Sequence, residues 1–243
     1  ITGIKDIRAI LKLYNDRGVP VRFTWTNSLL EEKHIYDTYC NLIMKEADNG
    51  MNQVLVNRPV LEEYIRRQYP GFKLISSTTK RITGLDGLLE ELNKDYFLVV
   101  LDYDLNHNEE VLSAIGKQAD KVEILVNEVC YPGCPKRSEH YRQQSQMQLE
   151  YDIDTAFPCP NKTRERKFEE CKERPSFISR EQIREYADRG FVNFKIVGRG
   201  MPMDFVKESY LYYLVKDDSR AFIRNKMEST LNQFAQAMRK RKA

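Results

Sequence analysis

Long hydrophobic runs are missing from this 243-residue chain. No stretch approaches the roughly 20 consecutive apolar residues of a membrane span, so none is expected. No signal-peptide pattern opens the sequence. An excess of one charge is missing too: 39 Lys and Arg stand against 36 Asp and Glu, for a net charge of +3. That balance lends no support to a strongly basic nucleic-acid binder. No Gly-rich turn follows the early β-rich segments, which removes the fingerprint of a dinucleotide-binding fold. Cysteine is scarce: five residues, an odd number, are too few for a disulfide scaffold. Solenoid repeats and low-complexity tracts are absent. Regular apolar segments and 11% aromatic residues argue against disorder. These absences describe a globular chain, expected to be cytoplasmic.

What is present is an alternation. Short β-rich runs lie at Val21–Trp25, Gln53–Val56, Phe72–Ile75, Phe97–Leu101, Lys121–Val126 and Val192–Val197. Their apolar character suits a parallel sheet covered on both faces. Helical patterns separate them: Leu29–Asp48, Val60–Gln68 after Pro59, Asp86–Asn93, and Asn108–Ala119 with Asn108 as cap. Two more helices are expected at Asp204–Lys216 and Ser219–Met238, before a basic tail at Arg239–Lys242. The sequence begins without Met and inside a helical pattern, so an N-terminal segment with a seventh strand is expected to precede it. The spacing predicts an α/β fold: a TIM-like (β/α) barrel, incomplete, with a long Cys-containing βα insertion. Residues 1–205 form the expected barrel domain, with a cysteine-rich insertion at 130–175. Residues 206–243 supply C-terminal helices and the tail.

In such a barrel the chemistry sits just after the strands. Those positions hold Asn27, Asn57, Ser76, Ser77, Asp102, Tyr103, Asp104, Asn106, Asn127, Glu128 and Arg199. Polar strand ends are ordinary where loops meet water. The recurrence of Asn after three strands and the Asp102/Asp104 pair nevertheless favour a polar pocket.

Cys130, Cys134, Cys159 and Cys171 lie within 42 residues, whereas Cys40 stands alone. Four such thiols can hold zinc or a [4Fe–4S] cluster, or can simply be buried or paired. The spacing is loose for a zinc ribbon, and Arg137 stands where a radical-SAM motif needs its third cysteine. A Cys134–His140 dyad, with one of only three histidines, is the nucleophilic alternative. The basic run Lys162–Lys167 is diluted by glutamate and reads as a solvated face. Tyr210, Tyr212 and Tyr213 read as helix packing rather than a base-stacking set.

The segment Val122–Tyr141, with Asn127-Glu-Val-Cys-Tyr-Pro-Gly-Cys134, resembles the collagenase-like peptidase family of unassigned catalytic type. Gly190–Arg199, with its Lys195-Ile-Val-Gly-Arg199, and Val99–Asn106 are similar to further segments of that family, as is Ser179–Ile183. The resemblance covers about residues 50–205. It implies a barrel with a four-Cys [4Fe–4S] cluster, held by Cys130, Cys134, Cys159 and Cys171. Asn127, Glu128, Lys195 and Arg199 would line the adjacent pocket. Understood members hydroxylate a quinone precursor or RNA without oxygen. The first cysteine pair is closer here than in better-known members.

The leading expectation is therefore an iron–sulfur enzyme that hydroxylates or otherwise modifies a small molecule or RNA. Asp102, Asp104, Glu128, Lys195 and Arg199 would be catalytic. Asn27, Asn57, Asn106, Asn127, Arg137 and His140 would bind substrate. An electron-donor protein and a paired homologous subunit would be partners. The alternatives are a peptidase of the collagenase-like type and a non-enzymatic binding module with a structural metal, zinc or cluster.

Overall fold

The computed structural model describes residues 3–152, 155–159 and 166–240. The six expected strands all form: β1 (Arg22–Trp25), β2 (Gln53–Val56), β3 (Lys73–Ser76), β4 (Leu98–Val100), β5 (Val122–Leu125) and β6 (Asn193–Lys195). They make one sheet in the order β1-β2-β3-β4-β5-β6, every pair parallel. A doubly wound sheet reverses its strand order at a switch point, and this one never does. The sheet curls instead. Arg22 on β1 reaches Glu123 on β5, its Nη1 donating to both carboxylate oxygens at 2.6 and 2.7 Å. β1 and β6 do not pair, so the sheet is a half-barrel.

Side-chain alternation sorts the strands into two faces. Leu55, Ile75, Leu98, Val100 and Leu125 point inward and pack on each other. Val54, Val56, Leu74, Val99, Val122 and Ile124 point outward, into the larger core shared with the helices. That outer layer begins with α1 (Ile4–Asn15), α2 (Thr38–Ala47), α3 (Pro59–Gln68), α4 (Leu85–Leu92) and α5 (Glu109–Ile115). Ile65, Leu88, Leu92 and Ile115 from these helices are almost wholly buried.

The expected single helix over Leu29–Asp48 is two elements. A short helical turn at Glu32–Tyr36 stops at Asp37, whose carboxylate accepts from the Cys40 backbone N–H at 2.7 Å and starts α2 afresh. An Asp side chain competing for backbone donors makes a cap rather than a continuous helix. Asn108 caps α5 as expected, accepting from Val111 N–H at 3.1 Å. Gly116, with φ 54°, ends α5 four residues before the expected boundary.

The insertion holds a helix that periodicity did not announce, α6 (Arg137–Glu150), followed by α7 (Phe168–Lys172). Only Arg137 and Ser145 of α6 are buried, so it has no apolar stripe to read. α8 (Arg180–Asp188) opens with a Ser179/Gln182 capping box. α9 (Met203–Leu214) and α10 (Arg220–Lys240) close the described chain. Tyr213 of α9 donates to the carbonyls of Val126 and Ile178 at 2.9 Å, and Tyr212 and Tyr213 pack among Phe168 and Phe177. Residues 162–165 of the basic run and 241–243 of the tail lie outside the described residues. Among the described residues no helix is long and apolar enough to cross a membrane.

Candidate active site

The C-terminal ends of the strands open on a groove of about 850 Å³, reached by Thr24 in β1, Asn27 after it, Thr79 after β3 and Arg199 after β6. α6 lies along it, contributing Tyr141 and Gln144. The helix is held there by polar bonds. Asn27 Nδ2 donates to the Ser145 carbonyl at 2.8 Å and to Gln148 Oε1 at 3.2 Å, and the Ser28 and Ser145 hydroxyls meet at 3.0 Å.

The paired aspartates after β4 are clamped by two guanidiniums. Arg81 donates to Asp102 Oδ2 at 2.5 Å and to Asp104 Oδ2 at 2.9 Å. Arg137, the first residue of α6, donates to Asp104 Oδ1 at 2.9 Å and stacks 3.9 Å above the Tyr103 ring. It also donates to the Tyr131 carbonyl, and so pins the Cys130–Cys134 loop to β4. The two acids respond differently. Burial raises Asp102 above the usual carboxylate range. Burial opposes ionisation of Asp104 as well, but its bonds from Arg81, Arg137 and Gly133 N–H outweigh it and hold Asp104 low.

Glu128 follows β5 by three residues and is partly buried. Its Oε1 accepts from the Val129 and Cys130 backbone N–H groups at 2.9 and 3.0 Å. No guanidinium or ammonium bonds it directly among the described residues. Burial therefore dominates and raises its pKa, against the backbone donors and the more distant Arg137 and Lys195. Tyr103 and Tyr141 stand near enough to feel its charge, and burial raises both, Tyr141 to about 12.

The asparagines face inward instead. Asn127 Nδ2 donates to the Val197 carbonyl at 2.9 Å and its Oδ1 accepts from Val197 N–H at 2.6 Å, continuing the β5–β6 ladder with a side chain. Asn106 Nδ2 donates to the carbonyls of Leu125 and Ser176, both at 2.8 Å. Asn57 Nδ2 donates to Thr79 Oγ1 at 2.9 Å. Each holds the chain where it leaves a strand. Lys195 lies 3.8 Å from Glu123, inside the half-barrel.

The histidines make structural contacts, although His34 also lines the groove. His140 stacks on Phe157, ring centroids 4.4 Å apart, and among the described residues no hydrogen bond joins it to Cys134. His107 Nε2 meets the Phe177 carbonyl at 3.0 Å, and His34 Nδ1 accepts from Glu31 N–H.

Two of the four clustered cysteines converge on Glu128. Cys171 is buried and its Sγ donates to the Glu128 carbonyl at 3.7 Å, with burial pushing its thiol up to about 12. Cys130 shares the Glu128 carboxylate through its backbone and lies beside the Tyr103 hydroxyl. Cys134 and Cys159 do not join them: among the described residues no three Cys, His, Asp or Glu side chains form a group that could hold a metal.

Sequence reasoning did not single out Arg81, Tyr141 or the Arg22–Glu123 bridge. Arg81 sits in a left-handed turn (φ 59°) that no residue pattern marks. Glu123, a charge inside an apolar strand, was the available signal for the bridge.

No protein-family model matches the chain. A protein of Methanocaldococcus jannaschii named an uncharacterized protease is 27% identical over 184 residues, 73% of this chain and 54% of that protein. The chain thus spans about half the length of that curated relative. A solved structure of a U32 peptidase superposes with a TM-score of 0.55 at 20% identity, covering 82% of this chain and 78% of that one. At that identity the likeness is one of fold.

Proposed function

We propose that the chain is the six-stranded part of a TIM-like barrel in a peptidase of the U32, collagenase-like type, and that it hydrolyses peptide bonds at the groove between the strand ends and α6. The observation that carries this reading is the 27% identity over 184 residues to a protein named a protease. The site geometry supports it. Hydrolysis of an amide needs a proton for the leaving nitrogen, and a carboxyl kept neutral at ordinary pH supplies one. Burial raises the Glu128 pKa and so favours its protonated form, and its charge reaches Tyr141 of the groove wall, so Glu128 is the acid in this reading. Its Oε1 is occupied by two backbone N–H groups, which leaves Oε2 to carry the proton. A water adds its oxygen to the carbonyl carbon and gives up a proton, the C–N bond breaks, the amine leaves with the Glu128 proton, and the water's proton restores Glu128. Gln144 and Arg199 bring an amide and a guanidinium to the groove lining, groups able to bond an extended peptide backbone. Arg137, clamped by Asp104, holds the loop that presents Glu128.

The test is incubation of the full chain with gelatin and with a mixed peptide library, reading new termini by mass spectrometry. Cleavage that falls at least 100-fold in Glu128→Gln, with folding retained, is expected. Absence of cleavage in the wild type overturns the reading. Iron and sulfide assayed on chain purified without air give the second arm. About four irons per chain would mean that Cys134 and Cys159 move to join Cys130 and Cys171, and would return the iron–sulfur hydroxylase to first place.

A further inference from the structure

The groove crosses the end of β1. Thr24 and Trp25 both line it, although consecutive strand residues point to opposite faces. Thr24 stands in register with Leu55 and faces the inside of the half-barrel; Trp25 stands in register with Val56 and faces the helices. One wall of the groove therefore belongs to the helix layer. It is built from Trp25, Leu30, Ile35 in the helical turn that follows, Cys40 on α2, and Leu61 and Tyr64 on α3. Ile35 and Leu61 are members of the large core, and Trp25, Leu30 and Tyr64 pack against it. Protein interiors are close-packed, so large apolar side chains that face an open volume lack part of their contacts. A ligand group of the right kind supplies them.

The polar atoms beside this wall are spent on the protein itself. Asn41 Nδ2 donates to the carbonyls of Ile35 and Asp37 at 2.7 and 2.8 Å, and Asn41 Oδ1 accepts from the Tyr64 and Tyr69 hydroxyls, both at 2.7 Å. Burial pushes the Cys40 thiol up to about 12 and keeps it neutral. The carboxylate and guanidinium that line the groove, Asp152 and Arg199, come from elsewhere, after α6 and after β6. A charged side chain placed against this wall loses water without gaining a partner, whereas an apolar one gains buried area.

We propose that this wall is a specificity pocket that receives one bulky apolar side chain, aromatic or branched, of the peptide substrate. The inference rests on the peptidase reading for naming the ligand a peptide, and adds which side chain the groove selects. The side chain enters over the end of β1, and the backbone that carries it lies toward Gln144 and Arg199.

Trp25 is the only tryptophan of the chain, so its fluorescence reports on this wall without any need for cleavage. The full chain is titrated with three blocked tripeptides, acetyl-alanyl-X-alanine amides in which X is phenylalanine, alanine or lysine, and read within seconds of mixing. The phenylalanine peptide is expected to bind at least tenfold tighter than the alanine peptide, and the lysine peptide no tighter than the alanine one. Equal affinity for the phenylalanine and alanine peptides overturns the proposal, as does tighter binding of the lysine peptide. Octanoate that moves the Trp25 signal where the phenylalanine peptide does not also overturns it, because the wall then holds a hydrocarbon chain rather than a side chain. In Leu30→Gln, a substitution at a partly exposed position, the preference for phenylalanine over alanine is expected to fall at least fivefold. An unchanged preference overturns the assignment of the wall. Selective binding without cleavage supports the pocket and removes the peptidase. Cleavage of a peptide library with no apolar preference at any fixed position overturns the pocket and keeps the peptidase.

Discussion

Glu91 and Glu128 are both acids withdrawn from water beside the same sheet, and they end on opposite sides of the ordinary carboxylate range. Glu91 lies in the helix layer, 3% exposed. Its oxygens accept from Lys80 at 2.8 Å, Lys94 at 2.7 Å and Ser76 at 2.5 Å. Burial opposes its charge, but those three donors overcome it and carry the pKa down to about 2. Glu128, after β5, has two backbone N–H groups and, among the described residues, no bonded cation, and burial prevails. The difference teaches that depth alone does not set a carboxyl's state; the number of charged donors does. It also separates the two roles. Lys80 and Arg81 are consecutive residues, yet Lys80 turns to the helices and closes a network with Glu62, Glu91 and Tyr96, while Arg81 turns to the mouth.

The largest effect that tests this contrast is on catalysis. Glu128→Gln keeps the shape and the acceptor for Val129 and Cys130 N–H but removes the transferable proton. Peptide cleavage is expected to fall by about 10²–10⁴-fold, with the melting temperature at neutral pH unchanged or raised. A variant that keeps its activity breaks the comparison, because Glu128 would then be merely an ill-satisfied buried acid.

Glu91→Leu should do the reverse. It leaves Lys94 and part of Lys80 without their counter-charge in the helix layer. The cost is expected to be about 3 kcal/mol, read from denaturant unfolding, with cleavage per folded molecule preserved. The pH profiles sharpen the point. The folded pKa of Glu91 is about 2, below its unfolded value of about 4.3. Its contribution is full above the unfolded value and is lost as pH falls from about 4.3 towards 2. Glu128 has a raised folded pKa, so the native state holds its proton more tightly than the unfolded one does. Its contribution is present below the unfolded value and declines as pH rises through the folded value. The stability gap between Glu91→Leu and wild type should thus close on acidification, while any gain in Glu128→Gln should grow with pH. Parallel profiles for the two variants would sink the assignment.

A third, smaller effect concerns the wholly satisfied polar group. Asn127 is fully buried and makes bonds to both backbone groups of Val197 and to Ser209 Oγ. Asn127→Ala is expected to cost about 2 kcal/mol, and to reduce cleavage only to the extent that Glu128, the next residue, shifts. Amide exchange at Val197 reports the lost rung directly. Protection unchanged there would show that the side chain does not extend the ladder.

Much of the half-barrel was legible because its strands are apolar runs at regular spacing, and all six lie where the residue pattern puts them. The sequential strand order follows once each crossover carries a helix. α6 escaped notice because it docks through polar atoms, Ser145 and Arg137, and leaves no hydrophobic period. The strand-end positions were legible as a set, yet their roles were not. Asn106 and Asn127 read as pocket amides, but their donors are spent on backbone carbonyls inside the fold. Arg81 could not be read at all, since its reach to both aspartates depends on a left-handed backbone turn. The four cysteines are close in sequence, but nothing in their spacing says that only Cys130 and Cys171 would meet at Glu128.

The smallest expected effect is at the far end of the solvation scale from Glu91. Arg8 on α1 pairs with Glu46 on α2 through two bonds, at 2.7 and 2.9 Å, as short as those of the pairs in the interior. The Arg8 side chain is 62% exposed. Its attraction to Glu46 is screened by water and salt, and holding two long side chains in one geometry has an entropic cost. Arg8→Ala is therefore expected to leave the melting temperature unchanged at physiological ionic strength. A drop comparable to that of Glu91→Leu would mean that bond geometry, rather than burial, decides what an ion pair contributes here, and it would undo the contrast between the helix layer and the mouth as well.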